Sequence, residues 1–145
     1  MRVHPPFAAF ATCAFLLVAC DPVQTNEIDA LGGEAPGVPH GPLHRPGQPC
    51  TLCHDGALGN PTPFSVAGTI YVNETDKTAA VDAVVALTDS EGHSYKATTN
   101  AAGNFYATPN QFTPVYPMKV AVTYDGITVE MASRIGRAAS CATCH

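Results

Sequence analysis

Two five-residue motifs with identical spacing hold the most reactive side chains of this sequence. They are Cys50-Thr51-Leu52-Cys53-His54 and Cys141-Ala142-Thr143-Cys144-His145. In each motif one short loop offers two nucleophilic thiols and then an imidazole that can bind a metal. This arrangement suits covalent haem attachment, in which the thiols add across two vinyl groups and the imidazole ligates the iron beneath the ring. The motifs therefore predict two c-type haems, with thioether bonds to all four cysteines and with His54 and His145 as proximal ligands.

The six cysteines of the chain leave none for a disulfide. Cys13 and Cys20 belong to a predicted export signal, and the other four form the two motifs. Structural zinc is an alternative, but the halves of a four-cysteine zinc site usually lie about 15–20 residues apart, whereas 87 residues lie between Cys53 and Cys141. A zinc site also would not explain why a histidine directly follows each of the two cysteine pairs. A thioredoxin-like redox pair would require a βαβ context, which is missing.

The first twenty residues have the features of an export signal. Arg2 is followed by an apolar stretch, residues 7–18, that is too short for a comfortable membrane span. It ends in Leu17-Val18-Ala19-Cys20, which resembles the bacterial lipobox. The resemblance implies removal of residues 1–19 and a lipid on Cys20, with an ordinary signal peptide as the alternative. We therefore expect an exported protein, lipid-anchored to the bacterial envelope in the periplasm or at the outer membrane and cell surface, where c-type haem is attached.

The charge of the mature chain excludes some partners. Without Arg2 it has six lysine and arginine residues against twelve acidic ones, a formal net charge of −6. The basic residues form no cluster, so nothing indicates nucleic-acid binding. A redox protein partner would present a basic face, because charge complementarity mainly sets the rate of encounter.

The chain divides by composition. Residues 20–63 are expected to form a tether that carries the first motif. The seven prolines from Pro36 to Pro63 disfavour a long helix or strand there. Residues 21–38 are expected to be a plain linker. Residues 64–132 predict a β-sandwich. Residues 133–145 carry the second motif.

The predicted sandwich rests on alternating apolar residues and on turn signals. Six short strands follow one another at intervals of about ten residues, at 64–72, 81–88, 94–99, 104–107, 119–124 and 127–131. Asp125-Gly126 is a strong hairpin signal between the last two. The fold class is therefore mainly β, an Ig/transthyretin-like β-sandwich flanked by irregular haem-binding segments.

Two family resemblances follow from these residues. Gly68-Thr69-Ile70, Val85-Ala86-Leu87, the turn at 89–92 and the segment 99–105 resemble transthyretin-like sandwiches of the carboxypeptidase regulatory-domain type. That resemblance implies a fold and often a surface location, not an activity; the His-x-x-Glu zinc site of carboxypeptidases is absent. The two pentapeptides resemble those of small dihaem c-type cytochromes.

The iron ligands on the distal faces are predicted from position. His44 lies six residues before Cys50, a span of about 20 Å if extended, so it can cross the haem edge. His40 could do the same or serve the second haem. Bis-histidine ligation at one haem or more indicates a lower-potential carrier.

Weaker distal candidates lie in the predicted sandwich. Met131 is expected to point into the core with Ile127 and Val129, but it is the methionine nearest the second motif in sequence. His93 stands at a predicted hairpin tip. Met118 is expected to be packing only.

Arginines near the motifs are candidates for binding the haem propionates. Arg45 lies near the first motif, and Arg134 and Arg137 lie near the second. Because His145 is the last residue of the sequence, we expect the second haem to be accessible.

These features predict an electron carrier rather than an enzyme. One alternative is a subunit of a haem conduit at the cell surface, in which terminal haems meet those of other copies or other cytochromes. A lower-ranked alternative is a small haem enzyme such as a peroxidase, which would need an open iron site and distal acid–base groups that are not evident.

Overall fold

The structure is a computed structural model that describes residues 22–38, 40–57, 62–137 and 139–145. The predicted signal peptide and Cys20, the predicted lipid site, lie outside the described residues. The elements are α1 (Pro22–Ala30), α2 (Cys50–Cys53) and six strands, followed by a 3₁₀ turn at Cys141–Thr143. The strands are β1 (Val66–Thr69), β2 (Val84–Thr88), β3 (Ser94–Thr98), β4 (Asn104–Ala107), β5 (Lys119–Tyr124) and β6 (Ile127–Glu130).

Six antiparallel strands in two sheets form a sandwich-like, mainly β fold, which confirms the predicted class. One sheet pairs β1 with β4, and the other has the order β3-β2-β5-β6. The alternation predicted for β2 is seen directly, since Val85 and Leu87 are fully buried while their neighbours are not. These two side chains pack with Val66 and Phe105 of the small sheet and with Met118. The core therefore lies between the two sheets.

The segment 22–30 is helical, so the prediction of a plain linker over residues 21–38 is wrong there. Helix α1 begins at a proline and is followed by Gly32 with a φ of +73°. Proline in the first turn and a left-handed glycine just past the last turn are typical helix boundaries. The helix is also held to the first motif, because Gln24 Nε2 donates to the Leu52 carbonyl at 2.8 Å and to Asp55 at 2.6 Å.

The inward orientation predicted for the last strand is wrong for two of its three residues. Ile127 is 68% exposed and Val129 is 64% exposed, whereas Met131 is half-buried and packs against the core. The reason is that β6 is an edge strand of the larger sheet, and the two-stranded sheet does not extend over it. Alternation shows which side chains share a face but not whether a second layer covers that face.

Among the described residues, no helix is long and apolar enough to cross a membrane.

Candidate functional site

The two cysteine motifs, far apart in sequence, both pack beside strand β1. Helix α2 is the first motif's Cys50–Cys53 segment, and the 3₁₀ turn is the second motif's Cys141–Thr143 segment. Both elements contact β1. A parallel bridge between Ala67 and Ser140 fixes the start of the second motif. One short strand thus brings the two motifs together.

The second motif requires glycine at position 68. A Cβ atom at Gly68 would lie 2.5 Å from Cys141 Sγ and 2.8 Å from Cys141 Cβ, closer than any real carbon contact. The absence of a side chain therefore allows Cys141 to lie directly on β1 and to pack against the core.

The first motif is fixed through the next residue of the same strand. Thr69 Oγ1 accepts a hydrogen bond from the Gly47 amide at 2.7 Å and donates one to Asn104 Oδ1 at 2.7 Å. The Asn104 amide group in turn donates to the carbonyl oxygens of Pro42 at 3.1 Å and His44 at 3.0 Å. This chain of bonds holds the loop before the first motif against the small sheet.

Two imidazoles face each other at the first motif. The ring centroids of His44 and His54 are 5.8 Å apart and the ring planes are inclined by 20°. The pair is stacked, whereas an imidazole binds a metal through a nitrogen lone pair in the plane of its ring. The structure therefore brings the predicted distal ligand, His44, close to the predicted proximal ligand, His54, and both rings would turn edge-on toward an iron bound between them.

Backbone carbonyls orient both of these rings. His54 Nδ1 is 2.9 Å from the carbonyl oxygen of Thr62, and His44 Nδ1 bonds the carbonyl oxygen of Gly41. With the proton on Nδ1 of each ring, the Nε2 lone pair is left for a metal, as metal-binding histidines require.

These rings line a narrow cleft of about 50 Å³, which we call the first cleft, together with Cys50, Cys53 and Phe64. Its wall is mainly apolar. Phe64 stacks on His54 with ring centroids 4.1 Å apart, and Tyr106 stacks on Phe64 at 4.5 Å. A flat apolar cofactor fits such a wall, because aromatic faces favour offset stacking.

The thiols of the two motifs are close enough to influence one another. Burial and, to a smaller extent, the nearby Cys50 thiol raise the pKa of Cys141 to about 11. Burial also raises the pKa of Cys50, against the lowering effect of a backbone hydrogen bond. All four motif cysteines are free thiols.

Two clefts flank the second motif. One, which we call the sheet cleft, has about 560 Å³ and is lined by Tyr71, Val120, Val122, Met131, Cys141 and His145. The other, which we call the arginine cleft, has about 390 Å³ and is lined by Met131, Arg134, Arg137, Cys141, Cys144 and His145. The structure therefore brings Arg134, Arg137 and Met131 to the second motif, beside the predicted proximal ligand.

A buried polar atom in the arginine cleft fits a bound group. Ser140 is 3% exposed, and its hydroxyl has no hydrogen-bond partner among the described residues. It lines the same cleft as Arg134 and Arg137. An unsatisfied buried hydroxyl costs about 1–3 kcal/mol, and an acidic group held by the two arginines, such as a haem propionate, would accept its hydrogen bond.

Several predicted candidates are not brought to a motif. The exposed His40 and His93 line none of the three clefts, and His93 Nδ1 is bonded to Asp89 at 3.1 Å in a turn. Met118 is fully buried in the core, as predicted.

Arg45 lines the first cleft, but its side chain already has protein partners. Its guanidinium donates to Gln48 at 2.8 Å and to the Gly32 carbonyl at 2.9 Å, and its Nε lies 3.6 Å from Glu34. Binding a propionate would require Arg45 to exchange at least one of these partners.

Sequence reasoning missed Asn104 and the aromatic wall. Asparagine is depleted in strands, so Asn104 inside a predicted strand was a signal for a special role. Phe64 and Tyr106 gave no such signal, since aromatic residues are common in strands.

No three His, Cys, Asp or Glu side chains of the described residues are grouped to hold a single metal ion. A structural zinc site needs about four such ligands, whereas haem supplies four nitrogens itself and needs one or two from the protein. Comparison of the chain with protein-family models, curated proteins and solved structures gave no match.

Proposed function

We propose that this protein is a dihaem c-type cytochrome that transfers electrons in the bacterial cell envelope. The observation that carries the proposal is the first site: two histidines with Nδ1 held by backbone carbonyls and ring centroids 5.8 Å apart, beside a Cys-x-x-Cys pair. Haem iron bound there would take up and release one electron at a time. The residues themselves hold, orient and shield the cofactor.

At the first site, Cys50 and Cys53 would form the thioether bonds and His54 and His44 the two axial bonds. Two protein ligands leave no open coordination position, which suits electron transfer rather than substrate binding. Phe64 covers one wall of the first cleft. A covered, apolar wall would keep water away from a bound haem, and this exclusion of water would change the reduction potential of the haem.

At the second site, Cys141 and Cys144 would form the thioether bonds and His145 the proximal bond. Arg134, Arg137 and Ser140 would bind the propionates, since all three line the arginine cleft. Cys144 and His145 are exposed, so this site would exchange electrons with an external redox protein.

Packing of both motifs beside β1 supports electron passage between them. Helix α2 and the 3₁₀ turn both contact β1, and one shallow groove is lined by Thr51 and Leu52 of the first motif and by Ala142 and Thr143 of the second. Cofactors attached to these motifs would be neighbours, so an electron would not have to cross the sandwich.

Carbon monoxide binding to the reduced, full-length protein tests electron transfer against enzyme function. The first site has two protein ligands and so excludes carbon monoxide. We therefore expect the reduced protein to bind at most one molecule of the gas per chain and to consume hydrogen peroxide no faster than free haem does. Rapid carbon monoxide binding together with peroxide turnover would contradict the proposal and favour a peroxidase-type enzyme.

A further inference from the structure

The described part of the chain gives the second site one imidazole, His145, where it gives the first site two. Haem iron is bound by His, Cys, Met or Tyr side chains. Apart from the second motif itself, the described residues that line the sheet and arginine clefts include only two of these types, Met131 and Tyr71. We propose that the Met131 thioether is the distal ligand at the second site, so that the two sites are chemically unlike. This inference rests on the proposed haem function.

Met131 is the one candidate that lines both clefts together with Cys141 and His145. Its backbone is fixed, because its amide donates to the Val120 carbonyl at 2.9 Å and so extends the β5–β6 pairing by one residue. Its side chain is half-buried and packs against the same core as Cys141. The structure therefore holds this thioether on a fixed strand end beside the second motif.

The surface around Met131 is shaped for an apolar cofactor. Val120 and Val122 line the sheet cleft with it. Val129 pairs directly with Val122 and is 64% exposed, so it extends this apolar surface along the same face. A haem in the sheet cleft would cover the two valines that line it, Val120 and Val122.

Tyr71 is the weaker candidate. Its hydroxyl lies over Gly47, where a Cβ atom would be only 2.5 Å away, so it is directed to the loop before the first motif. Burial also raises the pKa of the phenol, whereas a tyrosine binds ferric iron as the phenolate. Tyr71 lines the sheet cleft but not the arginine cleft.

Unlike ligands give the electron path a direction. Methionine–histidine ligation raises the reduction potential relative to bis-histidine ligation. With haem held at both sites, one electron would pass from the site held by His44 and His54 to the site held by His145 and Met131, and no bond would form or break. A reduced one-electron redox protein would supply the electron to the first site, and an oxidised one would take it from the second.

The test is spectroscopy of the ferric, full-length protein and of the variants Met131→Leu and Met131→His. Wild-type protein is expected to show the weak charge-transfer band of methionine-ligated ferric haem and two separate reduction potentials. Met131→Leu keeps the shape and apolarity of the side chain but should lose the band, and one haem of the two should then bind carbon monoxide. Met131→His should lose the band and bring the two potentials together.

Met118→Leu is the matched control, because Met118 is a fully buried methionine of the core; it should keep the band and both potentials. A wild-type protein with two haems and no such band, or a Met131→Leu variant that keeps it, would overturn this inference alone. A protein without any haem would overturn the proposed function as well.

Discussion

The two cysteine motifs are identical in spacing but lie in different surroundings. The first follows a loop that Thr69 and Asn104 bind to the small sheet, and backbone carbonyls orient both of its imidazoles. The second packs on β1 through Cys141, but its one described histidine, His145, is exposed. The difference teaches that, on the proposed function, the motif would specify haem attachment only, while the fold around it would determine the other iron ligand and the access of solvent.

The largest expected effect concerns His44. We expect His44→Ala to leave two haems on the chain but to open the first site, so that carbon monoxide binding to the reduced protein rises by about one molecule per chain. His40→Ala is the matched control and should bind no more than wild type, because His40 lies outside the cleft. Gas titration followed by absorbance measures this. Equal carbon monoxide binding by the two variants would show that His44 is not an iron ligand.

The next effect concerns Gly68. In Gly68→Ala the new Cβ atom would collide with Cys141, and overpacking of this kind costs about 1–3 kcal/mol. We expect lower stability in urea and incomplete haem attachment at the second motif only, measured by mass spectrometry of the two haem peptides. Gly33→Ala, which adds a Cβ atom in open space, is the control. Full attachment at both motifs in Gly68→Ala would show that the close contact is unimportant.

A smaller effect is expected for Asn104. Asn104→Ala leaves the carbonyl oxygens of Pro42 and His44 without their bonds from this side chain, at a cost of about 1–3 kcal/mol in the free energy of unfolding. Because the His44 loop is then less firmly held, the first haem should bind carbon monoxide partially while the second stays unchanged. Asn110→Ala, in an exposed loop, is the control. An effect on the second haem instead would contradict the assignment of Asn104 to the first site.

The smallest effect is expected for Asp89, which lies in the sandwich away from both motifs. Burial raises the pKa of this carboxyl group, but hydrogen bonds from the Val115 amide, from the His93 ring and from the amides of His93 and Glu91 outweigh burial and lower it. A lowered pKa in the folded state means that the carboxylate stabilises the fold above the ordinary aspartate pKa of about 3.9 and that this contribution is lost as the pH falls below it.

Asp89→Asn should therefore be less stable than wild type at neutral pH, and the difference should shrink in acid. Urea unfolding over a series of pH values measures it, with Glu130→Gln on the exposed edge strand as the control. A difference that is constant with pH would show that the charge of Asp89 has no part in it. Haem spectra should be unaffected throughout.

The sequence predicted the sandwich better than it predicted the surroundings of the two cysteine motifs. Strands β4 and β5 begin and end where alternation and turn residues place them, because both signals are local. Helix α1 was missed, since it lacks an apolar stripe and is held by Gln24 to the first motif; the proline and Gly32 at its ends were the available signals.

At the site, position along the chain favoured His44 over His40, and the structure places His44 in the first cleft. Met131 was placed correctly toward the core, but its exposed neighbours Ile127 and Val129 were not. Contacts such as Gly68 with Cys141 depend on residues far apart in sequence, which no local pattern encodes.

The most direct test of the dihaem assignment is the mass and iron content of the intact, denatured chain. The account predicts two covalently bound haems and two iron atoms per chain. Each double variant, Cys50→Ala with Cys53→Ala and Cys141→Ala with Cys144→Ala, should retain one haem, and Thr51→Ala, inside the first motif, should retain both. A chain that carries zinc and shows no Soret band would contradict the account.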